Sequence, residues 1–298
     1  MGARLRGLAC LLIAVGVISA GSLVSCASSI DARPSVPLRA AVPLPLPEIA
    51  AVHGGYVMRR LTLPRGYGSA GRGFYLNERR RTGPPQPLVL LLHGLYQSPP
   101  ILERATAATA FSEANHFTLV YPIGENKAWD AGSCCRHDTA DDVGYLVDLV
   151  HYVATLTPVD LHRVYIWGFS NGGMMAWRAV CQTRNTFAGA GVMAGALLVR
   201  CATPVHVVDV HGLKDKTVPY NGGYSTYTHT MIPDSATERR HLVAGSTLDV
   251  VLLKRLGHVW PPLRGGRFDA LNAFWQGLRG YRVAHPAVSI SVTAPVEG

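Results

Sequence analysis

The feature that most constrains the fold of this chain is a serine placed between an apolar strand and a helix. The run Val-Tyr-Ile-Trp at residues 164–167 leads into residues 168–172, with the sequence Gly-Phe-Ser-Asn-Gly, and an apolar segment with helical spacing follows at 174–180. The glycines leave room for a very tight strand-to-helix turn with strained backbone dihedrals at Ser170. Such a turn exposes the serine oxygen at the carboxyl end of a sheet, beside the amino terminus of the helix.

Short apolar runs alternate with helical periodicity along the rest of the chain. Strands are predicted at residues 57–63, 73–77, 87–93, 117–121, 164–167, 205–210 and 250–256. Helices are predicted at 103–115, from Asp141 and Asp142 onward, at 171–182 and at 269–278. Residues 215–248 are less regular and are expected to form a loop or helix over the site. Strands that alternate with helices predict a mostly parallel central sheet with helices on both faces, which is an α/β fold.

A serine hydroxyl is a poor nucleophile unless a base removes its proton. In α/β-hydrolases, where a strand-turn-helix holds the serine, an acid and then a histidine follow it along the chain. Asp215 is the candidate acid, because it lies in a loop just after the strand at 205–210, whereas its competitor Asp209 lies within that strand. His258 is the candidate base, because it follows the last strand and Gly257 permits a sharp turn. The other late histidines fit this position less well, namely His206, His211, His229, His241 and His285.

An oxyanion hole requires two backbone N–H donors. The residue after the serine, Asn171, is one candidate, and the other is Leu95 in the Gly-containing loop after the strand at 87–93. Tyr96 is the second choice for that donor. His93, just before the loop, is expected to be a structural hydrogen-bonding residue. Tyr96 and Trp260 are the candidate substrate-binding side chains.

The amino terminus predicts an exported protein. Arg4 and Arg6 precede an uncharged apolar run at residues 8–18, which is short for a membrane span and is followed by small residues. The sequence Leu-Val-Ser-Cys at 23–26 resembles a bacterial lipobox, which places a lipid on Cys26; ordinary secretory cleavage and an uncleaved anchor are the alternatives. The predicted organisation is therefore a lipoprotein-type signal peptide at 1–25, a Pro-rich tether at 26–50, a catalytic α/β-hydrolase domain at 51–285 and a tail at 286–298.

The cysteines and the charged residues indicate which disulfides, metal ions and nucleic-acid partners to expect. Outside the cytoplasm, Cys134, Cys135, Cys181 and Cys201 can pair, and Cys181 with Cys201 is the first choice because a bond between two neighbours is strained. No cysteine or histidine spacing indicates a metal site. The formal net charge is +9, but the basic cluster at residues 79–81 precedes a Pro/Gly turn and no nucleic-acid motif is present. A solvated loop is expected there, and no nucleic-acid partner.

Several motifs, taken together, resemble the esterase family of polyhydroxybutyrate depolymerases and feruloyl esterases, and within it the bacterial lipoprotein esterases of the LpqC type. They are Leu-His-Gly at 92–94, Trp-Asp-Ala-Gly-Ser-Cys-Cys at 129–135, Asp-Asp-Val at 141–143, Gly-Phe-Ser-Asn-Gly-Gly at 168–173, His-Gly at 211–212 with Asp215 and Val-Pro at 218–219, and Gly-His at 257–258 with Trp-Pro at 260–261. The resemblance implies a cofactor-free carboxylic ester hydrolase that acts outside the cytoplasm. It also implies that the nucleophile, acid and base are Ser170, Asp215 and His258.

The chain departs from that family's pattern at the rim of the pocket. Leu95 and Tyr96 stand where the family often has Cys and a polar residue, and residues 255–257 contain fewer glycines than usual. The chemistry predicted is ester hydrolysis through an acyl-enzyme, on polyhydroxybutyrate-like, feruloyl or other small acyl and aryl esters. Two alternatives are a cell-envelope acyltransferase with the same three residues and a non-catalytic surface lipoprotein.

Overall fold

The computed structural model describes residues 49–53, 56–79, 83–135, 140–234, 240–261 and 268–284. The chain divides into the units Met1–Leu44 and Pro45–Gly298, and every described residue belongs to the second. The predicted signal peptide, most of the tether and the tail at 286–298 lie outside these residues. Within the described ranges, no helix combines the length and the apolar character that crossing a membrane requires.

Among the described residues, nine strands form the central sheet, and two more form a separate hairpin. The strands are β1 (Ile49–His53), β2 (Tyr56–Thr62), β3 (Gly73–Arg79), β4 (Gln86–Leu92), β5 (Thr118–Pro122), β6 (Val159–Phe169), β7 (Gly189–Met193), β8 (His206–Gly212), β9 (Asn221–Ser225), β10 (Thr230–Asp234) and β11 (Thr247–Leu253). The sheet order is β1-β2-β3-β5-β4-β6-β7-β8-β11, and β9 pairs with β10. The pairs β1–β2, β2–β3 and β3–β5 are antiparallel, whereas all others in the large sheet are parallel. The predicted mostly parallel sheet is confirmed.

Helices cover both faces of this sheet. They are α1 (Pro99–Thr106), α2 (Ala108–Asn115), α3 (Asp142–Leu156), α4 (Asn171–Gln182) and α5 (Ala270–Leu278), with a short 3-10 helix at Glu125–Lys127. Side chains of β4 alternate between two cores: Leu90 packs with α3 and α4, whereas Leu91 packs with α1 and α5. This alternation explains why β4 is a continuous run of apolar residues, since both of its faces are buried.

Helices α3, α4 and α5 begin within one residue of their predicted starts, whereas the helix predicted at 103–115 begins earlier, at Pro99, and is broken. Helix α4 spans the predicted residues, and the Asp141 carboxylate accepts a hydrogen bond from Gly144 N, 2.8 Å away, at the start of α3. The single helix predicted at 103–115 is instead two helices. Ala107, with φ 49°, is left-handed and ends α1 by donating its N–H to Glu103 O. Apolar periodicity continues across such a break, so the pattern does not reveal it.

Strands β1, β7, β9 and β10 and the 3-10 helix were not predicted. Strand β7 has the sequence Gly-Ala-Gly-Val-Met, and a Cβ on Gly191 would collide with the Phe274 ring of α5. Its small residues are therefore a packing requirement of the helix above, which local propensity cannot show. The irregular segment after Asp215 contains the β9–β10 hairpin, where a loop or helix was expected.

The four cysteines in the described residues form two disulfides. Cys181 is bonded to Cys201, which is the pairing preferred from the sequence. Cys134 is bonded to its neighbour Cys135, a pairing that the sequence disfavoured.

Candidate active site

Ser170 occupies the turn between β6 and α4. Its φ and ψ are 54° and −122°, and its N–H donates to Met193 O at 2.8 Å on the adjacent strand. A Cβ on Gly168 would collide with the carbonyl of Gly172, and one on Gly172 would collide with that of Leu92. The two glycines therefore allow the close backbone approach that the tight turn requires.

The side chains of Ser170, His258 and Asp215 form a continuous hydrogen-bonded chain. His258 Nε2 lies 2.8 Å from Ser170 Oγ, and His258 Nδ1 lies 2.7 Å from Asp215 Oδ2. Asp215 follows β8 and His258 follows β11, and these two strands are parallel neighbours. The carboxyl ends of three parallel strands thus bring the three predicted residues together.

The Asp215 carboxylate is held from both sides. Its Oδ1 accepts hydrogen bonds from Thr217 N at 2.9 Å and Val218 N at 2.8 Å, and its Oδ2 also lies 3.5 Å from His211 Nε2. Burial alone raises the pKa of Asp215, but hydrogen bonds from His211, His258 and the Val218 amide outweigh burial and hold this pKa well below its usual range. An ionised carboxylate accepts the Nδ1–H of His258 and leaves Nε2 free to accept a proton.

The alternative acid, Asp209, lies inside the sheet as the sequence indicated. It is fully buried, and neither carboxyl oxygen has a hydrogen-bond partner among the described residues. Burial raises the pKa of Asp209 to about 7, although the nearby His211 acts in the opposite direction. His211 itself donates from Nε2 to Val218 O at 2.7 Å, so it supports the loop that binds Asp215. Sequence reasoning had assigned His211 no role at the site.

The two predicted oxyanion donors are both unengaged. Across the described part of the chain, neither Leu95 N nor Asn171 N has a hydrogen-bond acceptor. Tyr96 N, the second choice, donates to Lys127 O at 2.7 Å. The structure therefore excludes Tyr96 N as a free donor in this conformation, and Leu95 N is the remaining candidate in that loop.

His93 is a structural residue, as predicted. Its Nδ1–H donates to Gly94 O at 2.8 Å, and its Nε2 accepts from Gly124 N at 3.0 Å. Burial lowers the pKa of His93 to about 4, against a smaller raising effect of the hydrogen bond to Gly94. The ring is therefore neutral at pH 7, with its tautomer set by these two bonds.

The two candidate substrate-binding side chains differ in exposure. Tyr96 is 66% exposed. Trp260 is only 7% exposed and packs against Phe169 and Phe274, with ring centroids 6.3 and 6.1 Å away. The large apolar ring of Trp260 is thus part of the core that supports the His258 loop, and its role in substrate binding stays a prediction.

Two further predictions concern ions and lipids. In the ranges that the structure describes, no group of three or more His, Cys, Asp or Glu side chains is arranged to hold a metal ion. Cys26, the predicted lipidation site, lies outside the described residues.

Residues 127–237 match the model of the family described as Phospholipase/Carboxylesterase. NocK of Nocardia uniformis subsp. tsuyamanensis, whose name describes an esterase, is 33% identical over 46% of this chain and 42% of its own length. Feruloyl esterase B of Piromyces equi is 35% identical over 35% of this chain and 20% of its own length. The poly(3-hydroxybutyrate) depolymerase of Ralstonia pickettii is 31% identical over 41% of this chain and 28% of its own length. The matched segments thus span less than half of each relative.

Solved structures of similar fold include enzymes with several named activities. An acylaminoacyl peptidase matches 80% of this chain and 43% of its own, with a TM-score of 0.56 and 13% identity. The S-formylglutathione hydrolase of Agrobacterium tumefaciens matches 70% of this chain and 91% of its own, with a TM-score of 0.51 and 12% identity. At these identities, the similarity establishes the fold alone.

Proposed function

Since the chain has the α/β-hydrolase fold and is similar to carboxylesterases, we propose that it is a serine carboxylic ester hydrolase. The observation that carries the proposal is the hydrogen-bonded chain from Ser170 Oγ through His258 to Asp215, with distances of 2.8 and 2.7 Å. A serine, a histidine and a buried carboxylate in this order act together to activate a hydroxyl nucleophile.

The proposed reaction begins when Ser170 Oγ attacks the ester carbonyl and His258 Nε2 accepts its proton. Asp215 holds the imidazole and stabilises the imidazolium that forms. The N–H groups of Leu95 and Asn171 stabilise the negative oxygen of the tetrahedral intermediate. His258 then protonates the leaving alcohol, and an acyl-enzyme remains. Water activated by His258 hydrolyses it and restores the Ser170 hydroxyl.

The proposed substrates are feruloyl, hydroxybutyrate-like or other small acyl and aryl esters. Support comes from the names of two relatives, a feruloyl esterase and a poly(3-hydroxybutyrate) depolymerase. The exposed ring of Tyr96, next to the candidate donor Leu95, offers an apolar face to an aromatic or alkyl group.

We also propose that the enzyme is exported and anchored by a lipid on Cys26, with the catalytic domain facing outward. The lipobox-like residues 23–26 support the anchor, and the Cys181–Cys201 disulfide is consistent with an oxidising compartment. Labelling of the full chain with a radioactive fatty acid, compared with Cys26→Ala, tests this. Equal labelling of the two proteins, or none in either, would contradict the anchor.

The test of function is hydrolysis of p-nitrophenyl esters from acetate to octanoate, together with methyl ferulate. Wild type is compared with Ser170→Ala and with Ser112→Ala, a control at a buried serine on α2. We expect Ser170→Ala to lose up to ~10⁶-fold in kcat and to escape labelling by a fluorophosphonate probe, while Ser112→Ala keeps both properties. A folded wild type that neither hydrolyses these esters nor reacts with the probe would refute the proposal and favour a binding role. Ester products formed with an added alcohol would identify a transferase.

A further inference from the structure

Resting on the proposed esterase function, we infer that the side chains of Asn171 and Trp129 are positioning groups that hold both oxyanion donors in place. They act through a single segment, residues 124–130, which we call the Trp129 loop. This loop lies between β5 and α3. It contacts the residues around both candidate donors, Leu95 N and Asn171 N. Sequence reasoning gave Asn171 a backbone role only.

The first half of the arrangement is a double hydrogen bond between the Asn171 side chain and the Trp129 backbone. Asn171 Oδ1 accepts from Trp129 N at 2.8 Å, and Asn171 Nδ2 donates to Trp129 O at 2.9 Å. Both residues are at most 1% exposed. Since the candidate donor Asn171 N belongs to the same residue, this pair restricts the direction in which that N–H points.

The second half concerns the peptide unit that carries Leu95 N. In a trans peptide, the carbonyl and the N–H point in opposite directions, so the position of Gly94 O determines the direction of Leu95 N–H. Gly94 O accepts from His93 Nδ1 at 2.8 Å, and His93 Nε2 accepts from Gly124 N at 3.0 Å in the Trp129 loop. The loop thereby holds Leu95 N–H through one histidine ring.

Two more bonds join the loop to the same region. Trp129 Nε1 donates to His93 O at 2.9 Å, and Lys127 O accepts from Tyr96 N at 2.7 Å. His93 and Tyr96, which flank the Gly94–Leu95 peptide, are therefore both bound to the Trp129 loop, and so is Asn171. One loop connects the two halves of the oxyanion hole.

The loop is itself anchored to two helices. Asp130 N donates to Asp142 Oδ2 at 2.7 Å at the start of α3, and Asp142 pairs with Arg72 at 2.7 Å. Arg178 of α4 contacts both the carbonyl and the carboxylate of Asp130, at 2.6 and 2.8 Å. These contacts give a structural role to Asp130 and Asp142, the acidic residues of the Trp-Asp and Asp-Asp-Val motifs noted in the sequence. A donor pair held this firmly needs little rearrangement when charge develops on the substrate oxygen.

The deciding experiment compares Asn171→Ala with Asn77→Ala. Asn77 is also buried and makes one hydrogen bond to another element, from Nδ2 to Ser112 Oγ at 3.2 Å, but it lies on β3. We expect Asn171→Ala to lower kcat by about 10- to 100-fold with KM changed less than about 2-fold. We expect Asn77→Ala to retain the wild-type values. Thermal melting of each variant shows whether it is folded.

A second readout separates positioning from general structural damage. An aryl boronic acid bonds to Ser170 Oγ to form a tetrahedral anion, which resembles the transition state. Its affinity is expected to fall by the same factor as kcat/KM in Asn171→Ala, while inhibition by the carboxylic acid product is unchanged. If Asn171→Ala does not fold, Trp129→Phe decides the question. This variant removes the Nε1–H donor to His93 but keeps a buried ring, and we expect about a 3- to 10-fold loss of kcat and boronate affinity.

The outcomes distinguish this inference from the esterase proposal. Folded variants with wild-type kcat and boronate affinity, or with a loss confined to KM, would overturn the positioning role and leave Ser170-dependent hydrolysis intact. A folded wild type with no ester hydrolysis and no probe labelling would overturn both.

Discussion

Asp215 Oδ2 lies 2.7 Å from His258 Nδ1, although the two residues are 43 positions apart in the sequence. Each residue lies in the loop after its own strand, and the two strands are parallel neighbours in which Gly212 pairs with Leu253. The sheet register therefore determines that the acid loop and the histidine loop emerge side by side. The carboxylate can then orient the ring that faces Ser170.

Replacing Asp215 with Asn should impair catalysis more than binding. Asn is the same size, but it carries no charge to stabilise the imidazolium and does not favour the Nδ1–H tautomer. We expect Asp215→Asn to lower kcat by roughly 10³- to 10⁴-fold, with KM little affected. Steady-state kinetics with p-nitrophenyl butyrate measures this, and thermal melting checks the fold. A loss smaller than about 10-fold would exclude Asp215 as the acid.

Stability should depend on pH through the buried Asp209. Burial raises its pKa to about 7 in the folded protein, against roughly 4 for an unfolded chain. Between these values the folded state binds the proton more tightly than the unfolded state does, so this group's contribution to the free energy of unfolding falls as pH rises from about 4 to 7. Asn cannot ionise at this position. We therefore expect the free energy of unfolding of Asp209→Asn to exceed that of wild type by about 1–3 kcal/mol at pH 8 and by less at pH 5.

Urea unfolding at pH 5, 6.5 and 8 measures this difference. Asp249→Asn is the matched control, because Asp249 is exposed on β11, the strand that pairs with the β8 strand carrying Asp209. His211 is the titratable neighbour of Asp209, so both proteins keep it. A variant whose stability follows the wild-type pH curve in parallel would show that Asp209 does not ionise differently on folding.

Removing one partner of the ion pair that anchors the Trp129 loop should be strongly destabilising. Arg72 lies 2.7 Å from Asp142, whose side chain is fully buried, and covers the Tyr145 ring at 3.6 Å. Arg72→Met leaves a buried carboxylate without its cation, and we expect a loss of about 3–5 kcal/mol. Arg282→Met is the control, because Arg282 is half exposed where it pairs with Asp160. Its replacement should lower the free energy of unfolding by less than about 1 kcal/mol. Similar losses in the two variants, measured by urea unfolding at pH 7, would contradict this assignment.

Local patterns were sufficient for much of the fold. Seven strands of the sheet, helix α4 and the capped start of α3 follow from apolar periodicity and from the Asp141 cap. The Ser170 turn follows from two glycines at fixed positions: a Cβ on Gly168 would collide with Gly172 inside the turn, and one on Gly172 would collide with Leu92 O on the adjacent strand. Asp215 and His258 were chosen by their order after Ser170 and by the strands that precede them, and the same three residues meet in the structure.

The sequence by itself determined the α/β architecture and which residues could carry the chemistry, since periodicity, turn glycines and chain order are properties of short segments. The tertiary structure decided that Trp260 is buried, that β7 is built from small residues beneath α5, and that the side chain of Asn171 binds the Trp129 backbone. It also decided that Tyr96 N is engaged by Lys127 O. Each of these depends on contacts between segments distant in sequence. Such contacts are set by strand order and packing, and no local pattern encodes them.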